Sequence, residues 1–341
     1  MDLITKFAPK IYLHPCDKHR PDSVEHYFNT VHLKQAGATL ESQVTVEILQ
    51  SHTGNDAYLE FANGQSPTGT NNFRTGAGIQ RGIPPHTGTA AAPVYVKSFC
   101  YDTHFDIKYM FFYACQGFQT FQLQGWNLDS TCNFEWSPLA RHQADWEHIT
   151  VRLDPAGNTL LGAYYSQHSG SQWVEAPRLE DGTHPVVFSA LNSHACYPHA
   201  GTFRLGTVLD LPRPGEARVC RLSAVDTTVV DDLVTYDLSD RRFDQVARVP
   251  YTQPGQLINL DVDDSENHTP GPAGWLRFGG CWGPPALDNT QIEHPPALPN
   301  GAEDFLFNWA IQEKAQLPKP MLWGHGPRSP LHQNWWNHKE P

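Results

Sequence analysis

The sequence predicts a mainly β fold, an antiparallel β-sandwich with long loops and few short helices. Short segments rich in β-branched and aromatic residues recur along the 341 residues, each bounded by Gly, Pro, Asn or Asp. The 28 prolines and 26 glycines are spread over the whole length, which leaves little room for long helices. The predicted strands cover residues 44–49, 93–99, 107–113, 149–153, 160–165, 185–191, 217–222 and 257–262.

Two segments carry helix signals. The first covers residues 23–33 and begins at Asp22 or Ser23 as its cap, and the second covers residues 303–314. Residues 53–88 are rich in Gly, Asn and Thr, so we expect a long exposed loop there, a candidate lid.

The end of the chain is irregular in pattern. Residues 315–341 are rich in proline and tryptophan, and Trp323, Trp335 and Trp336 are costly to leave in water. We therefore expect this segment to pack back on the sandwich. Neither an internal repeat nor a clear linker interrupts the sequence, so residues 1–341 are predicted to form one domain.

Composition excludes several classes of function. The net charge is −12, with 24 Lys and Arg residues and no basic run, so a nucleic-acid partner is not expected. No stretch approaches 18 apolar residues, which predicts no transmembrane segment. The start of the chain lacks the pattern of a signal peptide, and we expect a cytoplasmic location. Nothing indicates a nucleotide cofactor, and seven cysteines without CxxC spacing do not indicate a disulfide framework.

The most informative segment is the predicted strand that begins at Asp145. In a strand, side chains alternate between two faces. One face then carries Asp145 and Glu147 followed by apolar residues, and the other begins with Trp146 and His148. A buried pair of carboxylates needs a cation, hydrogen-bond donors or a shared proton. The pattern therefore predicts a metal or acid–base site at the strand end; the alternative is that the strand ends in solvent with both carboxylates exposed.

Histidines recur at the ends of neighbouring predicted strands. Hairpin connections would bring His168 and His194 near Asp145 and Glu147, and His142 lies just before the same strand. Such a set suits Mg²⁺, Ca²⁺ or Mn²⁺ when oxygen ligands dominate, and Zn²⁺ when nitrogens do.

The roles predicted for these residues form three overlapping groups. The predicted metal ligands are Asp145, Glu147 and His194. The predicted acid–base residues are the same three together with His168. Trp146, Tyr165 and His142 are predicted to line the pocket.

Catalysis without a metal stays open. Ser166, His168 and Asp145 could form a nucleophile, base and carboxylate set, although no Gly-x-Ser-x-Gly motif is present. Two carboxylates could serve glycoside hydrolysis, although neighbours on one strand face usually lie too close together. Cys196 lies between two histidines in the sequence and is a candidate for an activated thiol.

Several motifs in order resemble those of the vacuolar protein sorting-associated protein 62 family. The segments 7–15 and 20–28 resemble the opening of that family, and Ala-Asp-Trp-Glu-His-Ile-Thr-Val at 144–151 resembles its central motif. The resemblance continues through Ser-Ala-Leu-Asn-Ser-His-Ala at 189–195, Gly-Cys-Trp-Gly at 280–283, and 324–330 leading to the Trp pair at 335–336. It therefore covers nearly the whole chain.

The central motif is also similar, more distantly, to that of the necrosis- and ethylene-inducing secreted toxins. Those proteins have His-Asp-Trp-Glu where this chain has Ala144-Asp145-Trp146-Glu147. The resemblance implies a compact β-sandwich that holds a divalent cation beside an acidic cavity and binds sphingolipid head groups. It carries Asp145 and Glu147 over as direct or water-mediated ligands. Since Ala144 replaces the histidine, His142, His168 or His194 would have to complete the coordination.

Two main hypotheses on function follow. The first is an enzyme that acts on a largely apolar small molecule: a cyclase or lyase, including a pericyclic one, or a hydrolase of specialised metabolism. The second is a non-enzymatic, cation-assisted protein that binds lipid or glycan head groups in vacuolar protein sorting, with an association to the vacuole. A secreted cytolysin is a third hypothesis, disfavoured by the start of the chain.

Overall fold

The computed structural model confirms a mainly β chain with few short helices. It describes residues 2–14, 16–62, 92–126, 131–137, 139–168, 170–212, 215, 219–228, 248–249, 257–260, 273–285, 292–313 and 326–335.

The strands in these residues are mostly short and mostly antiparallel. They are β1 Lys10–Tyr12, β2 Pro21–Asp22, β3 Val31–Gln35, β4 Ala38–Glu41, β5 Ala57–Phe61, β6 Val94–Cys100, β7 Phe105–Gln116, β8 Thr120–Gln124, β9 Thr131–Glu135, β10 His142–Leu153, β11 Leu160–Gln167, β12 Gly170–Val174, β13 Leu179–Glu180, β14 His184–Ser189, β15 Cys196–Tyr197, β16 Thr202–Pro212, β17 Val219–Thr227, β18 Arg248–Val249 and β19 Leu257–Asn259.

The helices are short except for the last. They are α1 Leu3–Lys6, α2 Val24–Phe28, α3 Val46–Ser51 and α4 Ala302–Glu313, with 3₁₀ turns at Gly274–Arg277, Pro299–Gly301 and Pro330–His332.

The central sheet has seven strands in the order β12-β11-β10-β7-β6-β19, with β2 beside β7. Its middle is the antiparallel pair of β7 and β10, each 12 residues long. Both strands are buried along almost their entire length, because both faces of the sheet are covered. The segment that carries the central motif is thus the innermost strand pair of the fold.

One face of the central sheet packs against a second sheet to form the predicted sandwich. That sheet has the order β13-β14-β1-β18, with β15 beside β14. Ile149 and Val151 of β10 lie in one hydrophobic cluster with Ile11 of β1 and Val187 of β14. The alternation expected for β10 is therefore confirmed on this face.

The opposite face of the central sheet is covered by an aromatic cluster. Trp146 stacks on Trp275 with ring centroids 5.5 Å apart, and it meets Trp282 edge-on at the same separation. Helix α2 and strands β3 and β5 of the small sheet β4-β3-β5 supply further members of the cluster. A fourth sheet, β16-β17-β8-β9, packs beside α4 through a separate hydrophobic cluster.

Some element predictions were wrong. Residues 44–49 were expected as a strand, but α3 occupies most of them, because the Thr45 side chain caps its first turn and one helical face can bury Leu49. The helix expected over 23–33 ends at Phe28, and residues from Val31 onwards alternate and pair with β5. The loop expected over 53–88 contains strand β5, and its part from residue 63 lies outside the described residues.

Helix α4 confirms the second predicted helix, since it covers nearly the same residues as 303–314. Trp335 packs against the aromatic cluster, and the packing of the whole segment 315–341 stays a prediction. Trp323 and Trp336 lie outside the described residues. None of the seven cysteines forms a disulfide with another described residue. None of the helices that the structure describes is long and apolar enough to cross a bilayer.

Ser23 is expected to contribute to stability as the cap of α2. Its side chain accepts a hydrogen bond of 3.0 Å from the backbone N–H of His26. Replacing such a cap by alanine leaves that N–H unpaired and costs about 1 kcal/mol. Urea unfolding of Ser23→Ala should show this loss, whereas Thr103→Ala, in an exposed turn, should leave the free energy of unfolding within about 0.5 kcal/mol of wild type. An equal effect of both changes would contradict a capping role.

Candidate functional site

His194 lies between two carboxylates in the interior. Its Nδ1 lies 2.8 Å from Oδ2 of Asp145, and its Nε2 lies 3.7 Å from Oδ2 of Asp17. The imidazole stacks on the ring of Tyr113 with centroids 3.7 Å apart and planes 1° apart. Its side chain is fully buried, and Nε2 has no hydrogen-bond partner among the residues that the structure describes. The prediction that His194 meets Asp145 agrees with this geometry.

A tight turn between β14 and β15 places His194. The Ala190 N–H donates to the Ala195 carbonyl at 3.0 Å, and the His194 N–H donates to the Ala190 carbonyl at 3.1 Å. Asn192 ties the turn to its surroundings, because its N–H donates to Asp17 and its carbonyl accepts from the N–H of Gly117. A side chain at Gly117 would collide with Asn192, its Cβ lying 2.2 Å from Oδ1. The turn is thus held from both sides.

Four non-glycine residues around this site have left-handed backbone conformations. They are Ala144, His168, Asn192 and His194, with φ between +55° and +66°. Such conformations cost about 1–3 kcal/mol each and persist where the surroundings impose them, often at functional sites. The strain therefore marks the same region as the side-chain chemistry.

Glu147 is buried next to Asp145 on the same strand face. Both residues are 6% exposed, which overturns the alternative that the strand ends in solvent. The Ser166 hydroxyl donates to Oε2 of Glu147 and accepts a hydrogen bond of 2.9 Å from the His148 N–H. Burial, followed by the nearby charge of Asp145, raises the pKa of Glu147 well above its ordinary value. Glu147 therefore holds a proton up to a higher pH than an exposed glutamate does.

Asp226, on β17, accepts hydrogen bonds from three side chains. Ser193 Oγ lies 2.7 Å away, and Tyr197 Oη and His168 Nε2 each lie 2.8 Å away. Asp226 is 1% exposed, whereas the His168 side chain is 35% exposed and reaches the solvent. Because Ser193 precedes His194, the same turn contacts Asp226 and Asp145 at once.

The pairing with Asp226 makes the stability contribution of His168 depend on pH. Burial lowers the pKa of His168, but the hydrogen bond and charge of Asp226 outweigh it, so the pKa lies above the ordinary 6.5. The stabilisation should be complete below pH 6.5 and should fall as the pH rises through the raised pKa. Unfolding of wild type and His168→Gln at a series of pH values should therefore diverge in acid and converge in base. A difference that grows with pH would contradict the pairing.

We call Asp17, Asp145, Glu147 and Asp226 the acidic cluster. Among the described residues, no lysine or arginine forms an ion pair with any of the four. The sequence predicted Asp145 and Glu147, together with His168 and His194 beside them, but missed Asp17 and Asp226. In the sequence, Asp226 is marked only by its position as the single acidic residue near the end of strand β17.

The residues predicted to line a pocket lie elsewhere. Trp146 points to the opposite face of β10, into the aromatic cluster. Tyr165 lies between the two sandwich sheets, and its hydroxyl donates to the Val186 carbonyl at 3.1 Å. His142 Nδ1 lies 2.6 Å from the Ala144 carbonyl, and burial lowers the pKa of His142. His142 lies near enough to Asp145 for the carboxylate to oppose this lowering.

The alternatives for nucleophilic catalysis do not match the contacts. Ser166 is bonded to Glu147, and His168 is bonded to Asp226, so Ser166, His168 and Asp145 do not form a relay. Burial, followed by the charge of Glu147, raises the pKa of the Cys196 thiol well above its ordinary value. A thiol in such surroundings is a poor nucleophile.

The predicted cation ligands do not form a metal site in this arrangement. Nδ1 of His194 and one oxygen of Asp145 are bonded to each other, and one oxygen of Glu147 is bonded to Ser166. In the part of the chain that the structure describes, no three His, Cys, Asp or Glu side chains are arranged to hold a metal ion. The donor set expected from the toxin resemblance therefore does not fit, and a bound cation stays a prediction.

The solved structures that resemble this chain include proteins of the toxin class named above. One is necrosis- and ethylene-inducing protein 2 from the causal agent of witches' broom disease of cocoa (14% identity, 55% of this chain and 60% of that chain, TM-score 0.25). A second is NLPPya in complex with glucosamine (16% identity, 57% and 64%, TM-score 0.28). A third is the non-toxic HaNLP3 protein (16% identity, 56% and 78%, TM-score 0.22).

The chain spans less than two thirds of the length of the first two of these proteins. All three TM-scores lie below 0.5, so function is inferred below from the chain's own residues. A search of curated proteins found no match.

A family model supports the family resemblance directly. The model described as vacuolar protein sorting-associated protein 62 matches residues 1–212, which include Asp17, the central motif and the turn that carries His194. More than half of the chain is matched. The chain belongs to the vacuolar protein sorting-associated protein 62 family.

Proposed function

We propose that this chain is a non-enzymatic binding protein for a polar head group of a glycan or lipid, recognised by the acidic cluster. The observation that carries the proposal is the turn at residues 190–195. Through Ser193 and His194 it joins Asp226 to Asp145, and it leaves Nε2 of His194 without a hydrogen-bond partner in the described part of the chain. Buried polar atoms are normally paired, so an unpaired imidazole nitrogen among carboxylates favours a ligand position.

The charge of the cluster defines the chemistry of the ligand. Carboxylates are hydrogen-bond acceptors when ionised, and they favour ammonium and hydroxyl groups. Among the described residues only histidines, and no lysine or arginine, pair with these carboxylates, so a ligand with an ammonium group would compensate negative charge that remains buried. We expect such a ligand to enter past His168, because its side chain is 35% exposed while its partner Asp226 is buried. An amino sugar carries both kinds of donor.

The experiment is calorimetric titration with glucosamine and with glucose, which lacks the ammonium group. We expect wild type to bind glucosamine more tightly, and we expect Asp145→Asn and Asp226→Asn to weaken it at least about tenfold, since a lost charged hydrogen bond costs about 1.5–3 kcal/mol. Glu41→Gln, on the exposed strand β4, is the matched control and should bind as wild type does. Equal binding of both sugars, or variants that bind like wild type, would contradict the proposal.

Acid–base catalysis on a small molecule is a second candidate, favoured by one observation. The raised pKa of Glu147 supplies a buried carboxyl group that keeps its proton, as a general acid must. This candidate predicts turnover of a metabolite that Glu147→Gln abolishes in a protein whose near-ultraviolet circular dichroism matches that of wild type. Turnover unchanged in Glu147→Gln would exclude it. We also propose that the chain acts at the vacuole, whether it binds a head group or catalyses a reaction. Microscopy of the tagged chain would test this location.

A further inference from the structure

The face of the central sheet opposite the acidic cluster carries a row of polar residues beyond the aromatic cluster. Lys108 on β7 lies directly across from Thr150 on β10 and from Lys97 on β6. Residues paired in this way project from the same face of the sheet. All three are buried, with Lys108 2% exposed. Buried lysines in a neighbouring pair are rare in a sheet, because like charges across strands repel.

The end of the described chain covers this row. The segment 326–335 is anchored to residues 276–282, since the Trp282 N–H donates to the Pro327 carbonyl at 2.7 Å and Ser329 donates to the Leu276 carbonyl. Its last residue, Trp335, reaches the sheet. The Lys108 ammonium donates to the Trp335 carbonyl and lies 5.3 Å from the ring centroid. The same ring packs on His148 with centroids 4.5 Å apart.

A second observation points to a ligand beneath Trp335. The Thr150 hydroxyl oxygen is buried and has no hydrogen-bond partner among the described residues, although the residue is only 2% exposed. A buried hydroxyl without a partner costs about 1–3 kcal/mol. Lys108 is bonded to a neutral main-chain carbonyl, whereas a charged oxygen forms a shorter and stronger bond with an ammonium group. An oxyanion could accept from both side chains at once.

We propose that Lys108 and Thr150 form a binding site for a small oxyanion, a phosphate or carboxylate group, and that Trp335 covers it. The oxyanion takes the position of the Trp335 carbonyl on Lys108 and accepts the free proton of the Thr150 hydroxyl. Trp335 is partly exposed and lies at the edge of its cluster, so it can leave without disrupting the sheet beneath. The site is separate from the acidic cluster, and its ligand has the opposite charge.

The test titrates the full chain with inorganic phosphate and, separately, with acetate. If Trp335 competes with the ligand, the open state is a minor one, about 10% or less. Trp335→Ala keeps the main-chain carbonyl but removes the ring contacts with Lys108 and His148 that hold it in place, so the open state becomes more populated and the apparent affinity rises. We expect Trp335→Ala to bind at least about tenfold more tightly than wild type. Adding Thr150→Val to Trp335→Ala removes the hydroxyl group and keeps the shape of the side chain. The double variant should bind about tenfold more weakly than Trp335→Ala, since hydrogen bonds to charged groups contribute about 1.5–3 kcal/mol.

Lys108→Met in the Trp335→Ala background should remove binding, and near-ultraviolet circular dichroism checks that each variant is folded. Lys34→Met, which removes a surface lysine paired with Glu60, is the control and should bind as its parent does. If phosphate or acetate shows this order of affinities among the variants, the result supports the site and tells which of the two oxyanions it binds. Equal affinity of wild type and folded Trp335→Ala, or full affinity of the Thr150→Val double variant, would overturn the proposal.

Discussion

His194→Asn is expected to lower the free energy of unfolding by about 3 kcal/mol. Asparagine tolerates the positive φ of this position, so the loss reports the imidazole rather than the backbone. Without the ring, Asp145 loses its 2.8 Å partner and Asp17 loses a nearby positive or polar group, while both stay buried. Leaving a buried charged group without its partner costs about 3–5 kcal/mol, and a hydrogen-bonded one about 1–3 kcal/mol.

The measurement is urea unfolding at neutral pH followed by tryptophan fluorescence. His199→Asn, at an exposed histidine five residues further along, is the matched control and should stay within about 0.5 kcal/mol of wild type. If His194→Asn unfolds like the control, the pairing with Asp145 does not hold the turn in place, and the site as described is wrong.

Gly326→Ala is expected to lower the free energy of unfolding by a similar amount, about 3 kcal/mol. A Cβ at Gly326 would lie 2.1 Å from the backbone N of Gly283 and 2.2 Å from its Cα. Backbone atoms cannot give way as a flexible side chain can, so one of the two segments must move. Gly283 in turn packs against the backbone of Gln143, at the start of the central motif. The glycines of the two C-terminal motifs are thus explained by close packing of three segments.

Gly170→Ala is the control for this change. A Cβ there would meet only one atom within 4 Å, at 3.9 Å, and the residue lies on the exposed edge strand β12. We expect its stability to be unchanged or slightly raised, because alanine restricts the unfolded chain. Thermal and urea unfolding of both variants would test the pair. A Gly326→Ala protein as stable as Gly170→Ala would show that the two segments are not in contact.

Features that depend on the local pattern of residues, such as the alternation of side chains along a strand, could be predicted from the sequence. Alternation along β10 correctly separated Asp145 and Glu147 from Trp146, because a strand has no other way to present its side chains. It failed at residues 44–49, where β-branched residues indicated a strand and the Thr45 cap favoured a helix. The capping residue Thr45, inside the predicted strand, decided between two patterns that the same residues allow.

The sequence did not indicate Asp17 and Asp226, because their places in the acidic cluster depend on contacts between distant parts of the chain. Asp17 meets the turn at Asn192, and Asp226 meets His168, across separations of 175 and 58 residues. No spacing rule links such positions. The prediction of a metal site also rested on residue types alone, whereas the structure shows the His194 imidazole and the Ser166 hydroxyl already bonded to the two carboxylates.

The central claim is that the acidic cluster binds a head group through its own carboxylates. The most direct test is the affinity for glucosamine before and after exhaustive treatment with a chelator, on protein purified without a metal-binding tag. The account predicts the same dissociation constant in both states and weaker binding in Asp226→Asn. Binding that disappears with the chelator and returns with Mg²⁺ or Ca²⁺ would contradict it and would establish a cation bridge instead.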